Sequence, residues 1–307
     1  MNRNILLATV AVLSTTLVAP KTEAFDLDFF DTDNNLEDLV NALFAPSSGI
    51  SLVPGSITFQ GNIGDGINPN TAQSALYSNF SLAPNFGSSP TLTLPDGIFL
   101  TTGTANIPRT NTVNNFSVTA GSGGNAQLTG LSGTSTFDAN VLTFQFTVDD
   151  PTNNSVQAQF LFGTDEFPTQ SVTDIFGFFV DGVNFAQFPS GELISNTPGN
   201  PTNFISNPVG GGLYDIEFNG LTRVFNVAGL LDPTLSTHTL SIGIADTFDT
   251  IFDSGAFIGG LKAGVSTGGG ITDPDDPQKT PEPSMILTFV GLAILGTIST
   301  KKQKKTA

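Results

Sequence analysis

The spacing of apolar positions changes period along the chain, and each change predicts an element. From Asn34 to Phe44 the apolar residues Leu36, Leu39, Val40 and Leu43 fall at i, i+3, i+4 and i+7. That is the stripe of an amphipathic helix, with Asn34 as N-cap and Glu37 completing the cap. Pro46 and Gly49 end it. Beyond Ile50 the runs shorten. Ile50–Val53, Ile57–Phe59, Thr91–Leu94, Ile98–Thr102 and Phe116–Thr119 are β-branched or aromatic and are separated by Gly, Pro and Asn, so they predict strands. Val141 to Val148 alternates Leu142, Phe144 and Phe146 with Thr143, Gln145 and Thr147, one buried face and one wet. Phe160 to Phe162 and Ile175 to Val180 are nearly unbroken apolar runs bounded by Gly and Asp, which predicts core strands. Ile216–Phe218, Val224–Val227 and Thr239–Ala245 complete the set.

The predicted fold is all-β: a jelly-roll-like antiparallel β-sandwich with one short N-terminal helix, forming a single domain over residues 34–265. Its core is expected to contain Phe144, Phe146, Phe160, Phe162, Phe176, Phe178, Ile242 and Ile244, each pair two residues apart on one strand face.

The two ends have a different character. Residues 1–24 have a basic start at Arg3, an apolar run from Ile5 to Ala19 broken by Pro20, and the small residue Ala24. This pattern predicts a secretory signal peptide. Residues 266–280 carry Gly268-Gly269-Gly270 and Asp273-Pro274-Asp275-Asp276-Pro277. Such a composition cannot bury apolar surface, and a linker is expected. After Pro281-Glu282-Pro283 an apolar run, residues 284–300, precedes Lys301, Lys302, Lys304 and Lys305. It predicts a short C-terminal transmembrane helix with the lysines inside and the domain outside.

Composition narrows the function. Charged residues make up 12% of 307, and the formal net charge is −17. Without the two terminal segments, 25 acids face four bases, Arg109, Arg223, Lys262 and Lys279. That excess repels a phosphate backbone and excludes nucleic acid as a partner. The chain has no Cys, which removes disulfides, thiolate metal sites and cysteine nucleophiles. Its one histidine, His238, is expected at the surface of a strand start. Gly121 to Gly124 lacks the Lys-Ser/Thr of a phosphate loop and is expected to be a turn.

The acids fall in two stretches. Asp165, Glu166 and Asp174 lie between the two unbroken apolar runs, and Asp246, Asp249 and Asp253 recur at intervals of three and four in SIGIADTFDTIFDSGAF. Carboxylates brought together need a proton, a base or a cation. With no His or Cys in either stretch, an all-oxygen site points to Ca²⁺. The competing expectation is that each acid caps its own turn. A two-acid hydrolase using Glu166 and Asp246 is the remaining catalytic route, and the chain is expected not to be an enzyme.

Five segments carry a resemblance. FLFGTDEF with DIFGFFVDGVNF, then IGIADTFDTIFDSGAF, together with the upstream DGIFLTTG and NNLEDLVNALF, resembles the choice-of-anchor L domain family of bacterial surface proteins. Family members often have Glu-Glu-Tyr where this chain has Asp165-Glu166-Phe167. Residues 281–305 resemble a PEP-CTERM sorting signal, which implies processing by an exosortase in a bacterium that makes extracellular polysaccharide. Together the resemblances imply an exported protein of the cell envelope, surface or matrix, serving adhesion or envelope/biofilm structure, with extracellular polysaccharide as a possible partner. The alternative is a calcium-dependent carbohydrate-binding module.

Overall fold

The computed structural model describes residues 24–168, 173–195 and 201–272. In chain order the elements are β1 (Asp26–Phe29), α1 (Leu36–Leu43), β2 (Ile50–Leu52), β3 (Thr58–Gln60), β4 (Ser74–Ser78), β5 (Ser81–Leu82), β6 (Leu92–Thr93), β7 (Gly97–Thr101) and α2 (Ala126–Ser132). There follow β8 (Thr136–Val148), β9 (Ser155–Thr164), β10 (Ile175–Val180), β11 (Val183–Asn184), β12 (Ile205–Ser206), β13 (Gly220–Leu221), β14 (Phe225–Leu230), β15 (His238–Thr247), β16 (Ser254–Gly264) and β17 (Gly270–Thr272).

Two antiparallel sheets face each other. One runs β1-β4-β7-β16-β9-β13-β12, with β14 also on β9 and β17 on β14; the other runs β11-β10-β15-β8-β2, with β3 beside β2 on β8. β5 and β6 pair with each other. The eight residues expected in the core are all fully buried between the sheets. Phe160 and Phe176 meet there with ring centroids 5.1 Å apart.

The unbroken apolar runs have a physical cause. Both sheets are covered on their outer faces too. Leu161, Phe99 and Phe257 point outward under a third layer that includes Phe25, Phe80, Leu82, Leu92, Tyr214 and Phe218, and Phe99 stacks on Phe257 at 4.2 Å. On the other sheet Ile175 and Phe179 pack with Leu128 of α2. A strand covered on both faces loses the two-residue alternation.

Several elements depart from the expected pattern. Helix α1 buries Leu39, Val40 and Leu43 as predicted, but its cap lies one residue later: Asp38 Oδ2 accepts from Asn35 N at 2.7 Å. Asn34 cannot serve, because its Oδ1 already accepts from Asp31 N. Phe116–Thr119 is not a strand, and Ile216–Phe218 gives way to β13 at Gly220–Leu221. β16, β4, β1 and α2 were not anticipated. β16 is Gly-rich (SGAFIGGLKAG) yet central, and small residues admit the neighbouring turn: a Cβ at Gly259 would lie 2.5 Å from the Asp96 carbonyl oxygen. β17 lies within the stretch expected as linker and pairs with β14, so the fold extends past Val265. His238 is buried, 4% exposed, against Phe146, with Nδ1 2.8 Å from Asp181 Oδ2. Its expected surface position is corrected, because the Asp181 side chain gathers this corner and also accepts from Asp232 N and Thr239 N. The expected signal peptide up to Glu23 and the sorting tail lie outside the described residues.

Candidate functional site

Topology brings the two acidic stretches to one place. β9 and β10 are consecutive but belong to opposite sheets, so the chain between Asp165 and Asp174 crosses the end of the sandwich. The link from β15 to β16, which carries Asp249 and Asp253, makes the return crossing. The two crossings are neighbours, since Thr164 pairs with Ser254 in one sheet and Ile175 with Ala245 in the other. At their start Asp165 N donates to the Asp253 carbonyl at 3.1 Å.

Of the six acids expected as metal ligands, five are buried there: Asp165, Glu166, Asp174, Asp246 and Asp253, each 1–2% exposed. Asp249 stands apart. It is exposed on the loop, where Oδ1 accepts from Ile251 N at 3.2 Å in an Asx turn.

Two further acids join the site that sequence reasoning missed. Asp138 sits where the β8–β15 register shifts, in a left-handed conformation with φ of 46°. Such a bulge re-aims a side chain, and its carboxylate accepts from Ala120 N at 3.0 Å and Gly121 N at 2.6 Å. Glu217, fully buried, accepts from Thr112 N at 3.0 Å, Thr112 Oγ1 at 2.8 Å and Val113 N at 3.2 Å. Asp253 Oδ2 accepts from Val118 N at 2.9 Å. Residues 112–121 therefore form a strap in which the amides of Thr112, Val113, Val118, Ala120 and Gly121 are satisfied by carboxylates rather than by a neighbouring strand. Of the six acids expected to cap their own turns, Asp249 does so, whereas Asp253 caps a segment distant in sequence.

Capping leaves oxygens over. Asp165 Oδ2, Asp174 Oδ2, both Asp246 carboxylate oxygens and Asp253 Oδ1 are buried without a hydrogen-bond partner. Burial pushes the Asp165 carboxyl up to about 8, with Glu217 and Glu166 adding to the rise while an amide bond from Asn219 opposes it. Glu166 is pushed up to about 9 by burial and then by Asp249 and Asp246. Asp174, Asp246 and Asp253 are raised well above the carboxylate range, first by burial, with neighbouring acids adding to the rise; the Ser254 side chain beside Asp174, the Thr102 and Asp174 side chains beside Asp246 and the Val118 amide on Asp253 oppose it. Among the described residues, the charged neighbours that raise these five groups are other acids. At neutral pH the site holds protons or needs a cation.

Among the described residues no three Asp, Glu, His or Cys side chains are arranged to hold a metal ion as they stand. The acids with spare oxygens act on one another, Asp246 on Asp174 and Asp165 on Asp253 among them. An oxygen-seeking ion that keeps several waters fits such pairs better than one demanding a closed protein cage.

The site also explains a glycine. Gly103, the last residue of DGIFLTTG, lies against Asp253, and a Cβ there would fall 1.7 Å from Asp253 Oδ2. Gly103→Ala must displace that carboxylate and its bond to Val118 N. A loss of ~1 to 3 kcal/mol in a denaturant titration is expected, and an unchanged midpoint would show that the carboxylate is not packed as described.

Around the rim are exposed apolar side chains. Phe248 is 70% exposed and Ile251 46%. Phe248 and Phe252 have φ of 77° and 65°, a conformation bulky residues rarely adopt. A cavity of about 740 Å³, lined by Thr173, Leu193, Thr247 and Phe248, opens alongside.

Comparison with known proteins gives one match. The model of the choice-of-anchor L domain covers residues 29–262, most of the chain. No curated protein and no solved structure matches. The chain therefore belongs to the choice-of-anchor L domain family and is a cell-surface or exported protein.

Proposed function

We propose that this protein is a non-enzymatic display module in adhesion or envelope/biofilm structure, whose acidic end takes up Ca²⁺. One observation carries the calcium reading: five carboxylate oxygens from Asp165, Asp174, Asp246 and Asp253 are buried with no partner. Oxygen-only donors suit Ca²⁺. Asp174 and Asp246, or Asp165 and Asp253, would hold the ion, and Ca²⁺ would tie one sheet-to-sheet crossing to the other. The bound ion supplies no chemistry beyond charge neutralisation. What the module displays is then a fixed loop surface.

Ligand that binds only the folded state stabilises it by mass action, ~2.7 kcal/mol at a hundredfold excess over Kd. For a domain of this size that corresponds to a rise of about 5 to 10 °C in melting temperature. Calcium is expected to raise Tm by that amount over EDTA, and Asp246→Asn to weaken the response. Identical melting curves in EDTA and in millimolar Ca²⁺ would remove the site.

Display follows from the ends. We infer export, removal of residues 1–24, and exosortase processing at the tail marked by Pro281, Glu282 and Pro283, with residues 284–300 in the membrane until then. The supporting feature is the order of box, apolar run and lysines. Fractionation with intact-mass measurement is expected to find a chain from about Phe25 to near Pro281. A secreted chain that retains both apolar ends would refute processing.

A second reading, a calcium-dependent carbohydrate-binding module, is favoured by Phe248. Its exposed ring stands beside Asp249 and the 740 Å³ cavity, where a sugar face could stack.

A further inference from the structure

Away from the acidic end, the outer face of the larger sheet is not wholly covered. The third layer lies over Leu161, Phe99 and Phe257 and stops there. Beside it the outward positions of β9 and β14 are polar: Gln157, Gln159 and Asn226, all partly exposed, with Gln159 Nε2 donating to Asn226 Oδ1 at 2.9 Å. Their neighbours Ala158, Phe160, Phe225 and Val227 point into the core, so the strand period fixes these amides on the open side. β16 bulges between Gly259 and Lys262, which carries Lys262 outward opposite Gln157.

Walls rise on several sides of this floor. The Leu94-Pro95-Asp96 turn closes down on Gly259 and Gly260, where an added Cβ would meet Pro95 and the Asp96 carbonyl. The C-terminal end of α1 contributes Asn41 and Phe44, and β17 contributes Thr272. The result is a groove of about 970 Å³, large enough for a ligand of several rings.

Its chemistry selects the occupant. Among the described residues only Asp96 and Lys262 carry charge in the lining, and their signs cancel. The domain as a whole holds a large excess of acids, so this is a locally neutral trough on an anionic body, unfavourable for polyanions. Amide side chains both donate and accept, as vicinal sugar hydroxyls do, and Ala228, Phe44 and Pro95 offer apolar patches for ring C–H faces. We propose that this groove binds a neutral polysaccharide strand. The floor residue Gln159 is six residues along β9 from Asp165, about 20 Å at strand rise, so binding is independent of the acidic end and of calcium. The proposal deepens the display reading by naming what the module holds, and it does not rest on the calcium site.

Affinity electrophoresis of the full chain tests it, through gels containing soluble neutral β-glucan, α-glucan or galactomannan, with alginate as the anionic comparison. Retardation by at least one neutral polymer and none by alginate is expected, unchanged by EDTA or by Asp246→Asn. Gln159→Ala with Asn226→Ala should weaken it about tenfold, the effect of losing two hydrogen bonds, while Tm stays within a few degrees of wild type. Absence of retardation in every neutral gel, or retardation indifferent to the paired substitution, overturns the proposal and leaves the calcium reading intact. Retardation that requires calcium and is lost in Phe248→Ala would move the site to the acidic rim and equally overturn it.

Discussion

With a chelator present, the melting temperature is expected to rise as pH is lowered from about 9 to about 5. Most proteins gain carboxylate interactions over that interval as pH rises, so the direction is diagnostic. The sign follows from the buried acids. Asp165 is raised from 3.8 to about 8 and Glu166 from 4.5 to about 9, both first by burial. Asp174, Asp246 and Asp253 move the same way. A carboxyl whose folded pKa is raised contributes stability in full below its unfolded pKa and loses it as pH climbs through the folded value. The loss therefore falls between about pH 4 and pH 9. Exposed Asp65, Asp150 and Asp232 have lowered pKa values, chiefly from hydrogen bonds to Ile67, Asn68, Thr152 and Thr234. Their contribution is lost on acidification below about pH 4, which sets the lower limit of the rise. Calcium should flatten the profile, since the ion replaces the protons. A Tm that increases steadily from pH 5 to pH 9 in EDTA would mean that the acids are not buried as described.

Phe160→Ala and Phe176→Ala are each expected to cost ~3 to 5 kcal/mol in urea or thermal unfolding. Both rings are fully buried and lie 5.1 Å apart, one from each sheet. Removing either opens a cavity at the sheet-to-sheet contact that surrounding strands cannot close, because Phe225, Ile258 and Ile242 are held in their own ladders. The pair shares one contact, so the double variant should cost less than the sum of the singles. If both single variants unfold like the wild type, the facing of β9 and β10 is wrong.

Much of the fold was legible because it depends on local pattern. The i, i+3, i+4, i+7 stripe of α1 and the alternation at Leu142, Phe144 and Phe146 each specify a buried face. The unbroken runs at Phe160 and Ile175 identified the central strands, although the third layer that makes them unbroken was not visible. β16 was hidden by its glycines, which are there for what packs on them. The strap over residues 112–121 could not be found from period at all, since its order comes from Glu217, Asp253 and Asp138 far away in sequence.

The candidate site was legible in composition and not in geometry. Asp165, Glu166, Asp174, Asp246 and Asp253 were picked out by their placement at the ends of apolar runs, and burial joins them. Asp249 shares their spacing but sits on the loop surface. Asp138 and Glu217 lacked any such context, lying in Thr-Phe-Asp-Ala-Asn and Asp-Ile-Glu-Phe-Asn away from the two acidic stretches. The signal available for them was mild: an acid within an otherwise apolar strand-like run needs a partner when buried.

The most direct test is the number of protons exchanged for calcium. Titrating the purified protein with CaCl₂ at about pH 7.5, with calorimetry repeated in buffers of different ionisation enthalpy, counts protons released per ion bound. Acids held protonated by burial should release about one to two protons per Ca²⁺, and Asp246→Asn should reduce that number. Absence of binding heat together with absence of proton release would contradict a cation-seeking acidic end.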